Sequence, residues 1–148
     1  MLLFNPLPEP LNTTQPYPAQ RSVTATGTGY PCRRCLHDAQ PGDTLFLLPY
    51  NPFPGTSPYT SDSPIYVHRD PCQTYICDGS VPEQQRKRQL AVRAYDAEHM
   101  MVDFHVLDGA VLAEKAETML ADPKLAYLLV YYAGPGCFAV RVDRRVCR

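Results

Sequence analysis

The distribution of proline is the feature that most constrains how this chain can fold. Fourteen of its 16 prolines lie at or before Pro82. Proline fixes φ and lacks the backbone N–H that helix interiors and central strands require. We therefore expect loops and short strands in the first half and regular structure in the second. Residues 1–21 should form an extended arm ahead of a single domain (22–148), with residues 51–64 as a long loop suited to binding.

Apolar patterning between these loops predicts short strands. Residues 44–50 are almost wholly apolar, which favours a strand buried on both faces, while residues 65–68 and 90–95 alternate. The clearest alternation spans residues 99–106, and we expect one of its faces to meet the core and the other to face solvent or a cleft. One face carries Met100, Val102, Phe104 and Val106, and the other carries His99, Met101, Asp103 and His105.

The second half contains one convincing helix and a hairpin. Asp108 is a suitable N-cap, Gly109 opens the helix, and Pro123 should end it. The apolar positions at helical spacing are Leu112, Ala116, Met119 and Leu120. Residues 125–132 and 137–143 read as strands joined by a compact turn. The order predicts an α+β domain, a mostly antiparallel sheet of short strands with one main helix and a C-terminal hairpin.

Charge and hydropathy argue against several partners. The formal net charge is -1, and Arg86-Lys87-Arg88 is the only concentrated basic run, so we expect no nucleic-acid binding. No stretch approaches the ~20 apolar residues that span a membrane. Pro6 interrupts the apolar start before a signal segment could form, which favours a cytoplasmic location. Cysteines in that compartment stay reduced and serve metals or reactions before disulfides.

Cysteine and histidine spacing predicts a zinc site. Cys32 and Cys35 form a C-x-x-C, and His68 precedes Cys72 in an H-x-x-x-C. If the two halves meet, they supply the ligand types and number that tetrahedral Zn²⁺ prefers. The alternative is that these are small, partly buried thiols with no metal.

Short elements spread over roughly residues 28–144 resemble domain-of-unknown-function family 1203. They are Pro31-Cys32-Arg33, Pro58-Tyr59, Ile65-Tyr-Val67, the run 90–96, Met100-Met-Val-Asp103, and Gly136-Cys137 followed by Arg141. The resemblance implies a small single-domain protein and a shortlist of positions, but no reaction.

The polar strand faces suggest a second chemistry, a cofactor-free pocket for a small anionic or aromatic metabolite. Cys32 would act as nucleophile beside the guanidinium of Arg33, which would also bind an anion, and His68 would act as base. Arg93 would be a second anion clamp and Asp103 an orienting group or base. Tyrosines that could line the pocket are Tyr59, Tyr66 and Tyr95. Surface ion pairs and strand packing are the structural alternatives for the same residues.

A third hypothesis is a non-catalytic interaction module. The proline-rich arm (residues 1–21) could dock a partner or exchange between the protomers of a homo-oligomer, because a stiff segment loses little entropy on binding. Of the three hypotheses we favour small-molecule chemistry over a scaffold.

Overall fold

Eight strands in two antiparallel sheets form the framework of the described residues. The computed structural model describes residues 2–7 and 19–144. In chain order the strands are β1 (Leu2–Asn5), β2 (Arg21–Thr24), β3 (Thr44–Tyr50), β4 (Ser63–His68), β5 (Gln89–Tyr95), β6 (Met101–Asp108), β7 (Tyr127–Tyr132) and β8 (Phe138–Arg144). One sheet has the order β1-β8-β7-β5-β6 and the other β2-β3-β4. The predicted α+β class with a C-terminal hairpin, β7 to β8, is confirmed.

The five-stranded sheet is covered on both faces. Helix α2 (Leu112–Leu120) packs on one face against alternate residues of β5, β7 and β8, including Val92, Val130 and Val142. The three-stranded sheet packs on the opposite face, where Ile65 meets residues such as Leu129. Every residue of β7 is buried, because this strand lies between both layers.

Helix α2 follows the predicted pattern. A 3₁₀ turn (Gly109–Val111) precedes it, and the Asp108 carboxylate accepts a hydrogen bond from the Ala110 N–H at 2.9 Å. The four apolar positions expected from helical spacing are all buried: Leu112, Ala116, Met119 and Leu120. A short helix, α1 (Glu83–Arg86), was not foreseen. Neither of the two described helices has the length and apolarity to cross a membrane.

The start of the chain belongs to the main sheet. Strand β1 pairs with β8 and buries Leu2 and Phe4, although the sequence suggested an extended arm there. Most of that predicted arm, residues 8–18, lies outside the described residues. Strand β3 was expected to be buried on both faces, but only Leu45 and Leu48 are fully buried. The reason is that β3 belongs to the outer of the two sheets.

Strand β6 turns its apolar face to solvent. Val102, Phe104 and Val106 are 50%, 70% and 66% exposed. The half-buried face instead carries Asp103 and His105. The strand is the last in the five-stranded sheet, where the three-stranded sheet does not cover it. The alternation was therefore predicted correctly, but its usual interpretation, apolar residues inward, does not hold here.

Gly109 is the position where a side chain would disturb this fold most. A Cβ there would collide with the backbone oxygen of Gln85 and lie 2.8 Å from those of Arg86 and Arg88. We predict that Gly109→Ala lowers the free energy of unfolding by about 3 kcal/mol, because backbone atoms cannot move aside as a side chain can. Urea unfolding measures the change. In Gly134→Ala, where a Cβ meets nothing within 4 Å, stability should stay near wild type, and equal stability of both variants would contradict the packing described.

Candidate metal centre and adjoining cavity

The C-x-x-C turn, residues 32–35, lies against β4. Cys32 forms a parallel bridge with Tyr66, and the N–H of Arg33 donates to the Tyr66 carbonyl at 3.0 Å. The Leu36 N–H closes the turn on the Cys32 carbonyl at 3.1 Å. Leu36 has a φ of 56°, which is unfavourable for a branched side chain, but its side chain is buried in the core and this burial offsets the strain. The turn is thus fixed both by its backbone hydrogen bonds and by the burial of Leu36 in the core.

Four potential ligand atoms meet where β4 ends. The sulfurs of Cys32, Cys35 and Cys72 and a ring nitrogen of His68 all lie within 4.8 Å of one another. Cys32 Sγ and Cys72 Sγ are 4.0 Å apart, and Cys35 Sγ is 3.7 Å from His68 Nδ1. Sulfur ligands of tetrahedral zinc sit about 3.8 Å apart, given Zn–S bonds of about 2.3 Å. The cluster therefore has the composition and spacing of a metal site that could hold zinc.

Two further side chains surround the cluster. His68 turns Nε2 away from the sulfurs toward the Asp43 carboxylate, at 3.1 Å. Arg34 donates from Nε to Cys72 Sγ at 3.2 Å and from its terminal nitrogen to the carbonyls of His68 and Asp70. Metal-binding histidines commonly present one nitrogen to the metal and the other to a carboxylate. Asp43 and Arg34 therefore occupy the positions of outer-shell groups.

The thiols of the turn differ in acidity. The pKa of Cys32 falls to about 4, mainly because the Cys35 thiol hydrogen-bonds to its sulfur, an effect that outweighs burial and is helped by the backbone N–H groups of Cys35, His68 and Arg34. The pKa of Cys35 rises for the converse reasons: it donates the shared proton, is buried, and sits beside the Cys32 thiolate. Cys32 is thus the thiolate of the pair.

Arg33 points away from the cluster and into the protein. It is 1% exposed, and its Nε donates to the Phe138 carbonyl at 2.7 Å. Its terminal nitrogens donate to the Pro31 carbonyl and to Cys137 Sγ, the latter at 3.1 Å. It also lies over the Tyr132 ring, 5.1 Å from the centroid. No carboxylate of the described residues pairs with it.

A cavity of about 480 Å³ opens beside Arg33. Its wall is largely apolar and aromatic, with Arg33 and Arg88 as the cations. The lining residues are Gly29, Pro31, Arg33, Tyr66, Arg88, Gln89, Tyr132, Gly134, Pro135 and Cys137. We call this space the Arg33 cavity.

The remaining predicted pocket residues lie elsewhere. Arg93 sits over the Tyr131 ring, 4.0 Å from its centroid, and Asp103 pairs with His105 on β6 at 3.1 Å. Arg93 pairs with Phe104 in the sheet, so its side chain and that of Asp103 are on opposite faces. Among the described residues, neither forms a hydrogen bond or ion pair with the cysteine cluster.

The predicted tyrosines divide between two places. Tyr66 lines the Arg33 cavity. Tyr59 and Tyr95 instead belong to an aromatic cluster in which Tyr95 stacks on Tyr127 at 5.5 Å and Phe53 meets it edge-on. The pKa of Tyr95 rises to about 12. Burial is the main cause, and the effects of neighbouring side chains are smaller. That cluster is packed core between the sheets, with Tyr59 partly exposed at its edge.

Sequence reasoning missed Asp43 and did not foresee the contact between Cys137 and Arg33. Asp43 precedes β3, and it reaches His68 because Leu45 pairs with His68 in the β3–β4 register. Cys137 reaches Arg33 across 104 positions of sequence. Strand register and long-range contact are not encoded in residue spacing. Only the residue types, a carboxylate near a strand start and an isolated thiol, were available as signals.

Asp38 fastens the segment after the C-x-x-C turn to the start of β5. Its two carboxylate oxygens accept hydrogen bonds from Arg88 at 3.0 and 2.9 Å, and Lys87 lies 2.7 Å away. Burial alone would raise the pKa of Asp38, but the hydrogen bonds from Arg88 and Lys87 outweigh it and hold the pKa below its usual value. The ionised carboxylate therefore stabilises the folded state.

Comparison with known proteins identifies a family. Residues 29–144 match the family described as "Protein of unknown function (DUF1203)", and the chain belongs to it. No curated protein and no solved structure matches the chain. The family assignment confirms the resemblance found in the sequence.

We predict that Asp38→Asn lowers the free energy of unfolding by about 2 kcal/mol at neutral pH, because Arg88 loses its charged partner in a partly buried place. A carboxylate with a depressed folded-state pKa stabilises above its unfolded pKa of about 3.9 and ceases to do so as pH falls through the folded value. The difference from wild type should therefore shrink in acid. Urea unfolding across pH measures it, with exposed Asp62→Asn as the matched charge control. A pH-independent difference would contradict the role of the charge.

Proposed function

We propose that this protein is a zinc-binding domain whose metal is structural, held by Cys32, Cys35, His68 and Cys72. The observation that carries the proposal is the convergence of four ligand atoms within 4.8 Å. Three thiolates and one imidazole are a common structural zinc set, and four protein ligands fill a tetrahedron. The site therefore leaves no open position for substrate.

The charges around the site support the same conclusion. Zinc with three thiolates carries a net charge of about −1, and the Arg34 guanidinium 3.2 Å from Cys72 Sγ offsets it. The Asp43 carboxylate would orient His68 and increase the basicity of its ring. Two of the four ligands, Cys32 and Cys35, are fully buried, so the metal would be shielded from solvent on that side.

Zinc would supply stability where the chain is rich in loops. The ligands come from the C-x-x-C turn, from His68 at the end of β4 and from Cys72 in the loop that follows. Metal coordination contributes to the free energy of folding in such places, because the binding site does not exist in the unfolded chain. In a closed site Cys32 and His68 both bind the metal. They are then unavailable as a nucleophile and a base.

We predict about one zinc per chain in protein purified without affinity tag or chelator, measured by elemental mass spectrometry. Cys72→Ser should lose most of the zinc, since a serine hydroxyl is a poor replacement for thiolate and Cys72 is only half-buried. Removal of zinc by chelator should lower the melting temperature of the wild type but not that of Cys72→Ser.

Cys137→Ser is the matched control, because Cys137 contacts Arg33 and lies outside the cluster. It should retain wild-type zinc. Metal-free wild-type protein, or equal zinc in both variants, would contradict the proposed site.

The Arg33 cavity supports a second candidate function, binding of a small aromatic or other flat anion. Arg33 is buried without a carboxylate partner among the described residues, and a buried unpaired cation is unfavourable by several kcal/mol. An anionic ligand beside it would supply the missing charge. The rings of Tyr66 and Tyr132 in the cavity wall favour a flat ligand. This is the small-metabolite hypothesis with a different binding site. The ligand would lie in the Arg33 cavity, on the opposite side of the turn from Cys32 and His68.

We predict that benzoate binds the wild type and that Gly134→Leu weakens its binding at least about tenfold, measured by calorimetry. Gly134 lines the cavity, and a Cβ there meets nothing within 4 Å, so the larger side chain should occupy the cavity without straining the fold. Gly27→Leu is the control, since Gly27 is equally open but lies outside the cavity.

Benzamide should bind far more weakly than benzoate, because it lacks the charge that Arg33 would neutralise. The cavity hypothesis is wrong if no anion binds, or if Gly134→Leu binds benzoate as the wild type does.

A further inference from the structure

Strand β6 has an unusually unprotected outer edge. It is eight residues long, the longest strand among the described residues, and no described strand pairs with its outer side. Proteins usually shorten edge strands or place lysine or proline on them, because open N–H and C=O groups recruit other strands. Strand β6 has neither residue and exposes Val102, Phe104 and Val106 in a row.

The backbone groups on the outer side of this edge belong to the same three residues, and the one at the centre is bonded only to a neighbouring side chain. The Phe104 N–H does not enter the β5 ladder, and the Asp103 carboxylate accepts it at 2.9 Å. Backbone groups alternate sides along a regular antiparallel strand, so those of Val106 also point outward, and a bulge opposite Ala94 and Tyr95 leaves Val102 without a partner in β5. The outer edge thus offers main-chain pairing and an apolar row at once.

We propose that a second copy of the chain pairs with this edge, β6 against β6 in antiparallel orientation, with Phe104 opposite Phe104 on the two-fold axis. In this register Val102 of each chain faces Val106 of the other, and Phe104 forms a hydrogen-bonded pair with Phe104 of the second copy. The product is a continuous ten-stranded sheet in which the two apolar rows lie side by side on one face and contact each other.

Charge selects this register among the symmetric alternatives. With Phe104 on the axis, Asp103 of one chain stands opposite His105 of the other. These residues already approach to 3.1 Å within one chain, so the four side chains can form one alternating cluster. Centring the axis on Asp103 instead would place two carboxylates face to face, and centring it on His105 would leave Asp103 opposite Leu107.

Sedimentation of the full chain in reducing buffer across a dilution series tests the proposal. We expect a concentration-dependent species with twice the 16.6 kDa mass of the chain. Phe104→Lys should abolish it, since two lysines would meet on the axis. Ile76→Lys, which adds the same charge at a residue that is 76% exposed and outside β6, should dimerise as the wild type does.

The register has its own test. His105→Asp should weaken the dimer about tenfold, because carboxylates then stand opposite each other twice. Combining it with Asp103→His exchanges the two groups and should restore wild-type affinity. A wild type that stays monomeric, or a dimer unaffected by Phe104→Lys, would overturn the proposal. Failure of the exchange to restore affinity would overturn the register.

Discussion

The backbone pairing between the C-x-x-C turn and β4 positions most of what is chemically distinctive in this protein. The bridge from Cys32 to Tyr66 and the bond from the Arg33 N–H fix the turn against the strand. Successive side chains then point in different directions. Cys32 joins the cluster, Arg33 enters the interior, and Arg34 reaches Cys72. One short pairing therefore creates both the candidate metal centre and the Arg33 cavity.

The two candidate functions are compatible because they use different atoms of this turn. A zinc ion would take the sulfurs on one side and would stiffen the backbone from which Arg33 projects on the other. The guanidinium is held by carbonyls that are themselves fixed in the sheet and the turn, Phe138 and Pro31. A rigid, buried cation of this kind is preorganised for an anion. The metal would thus support ligand binding without contacting the ligand.

Local pattern predicted the elements that depend on local physics. Helix α2 was found from its cap and periodicity, and strand β3 from a short apolar run. The four cluster residues were found from ligand type and spacing, because Cys and His have few roles that combine in this way. Their proximity to Asp43 could not be predicted, since it depends on the register of β3 with β4.

The errors share one cause, the position of an element within the assembled sheets. The apolar face of β6 is exposed because no layer formed by residues 2–7 and 19–144 reaches that sheet edge, which periodicity cannot reveal. Arg33 was predicted to share a pocket with Cys32, yet its side chain is buried on the other side of the turn because the turn directs it under β8. Arg93 and Asp103 were grouped as polar residues on strands, but the β5–β6 register puts them on opposite faces.

X-ray absorption at the zinc edge, on protein as purified, tests the central claim most directly. The account predicts a first shell of three sulfurs at about 2.3 Å and one nitrogen at about 2.0 Å. A shell of four sulfurs, or one made only of nitrogen and oxygen, would contradict the assignment of Cys32, Cys35, His68 and Cys72 as the ligands.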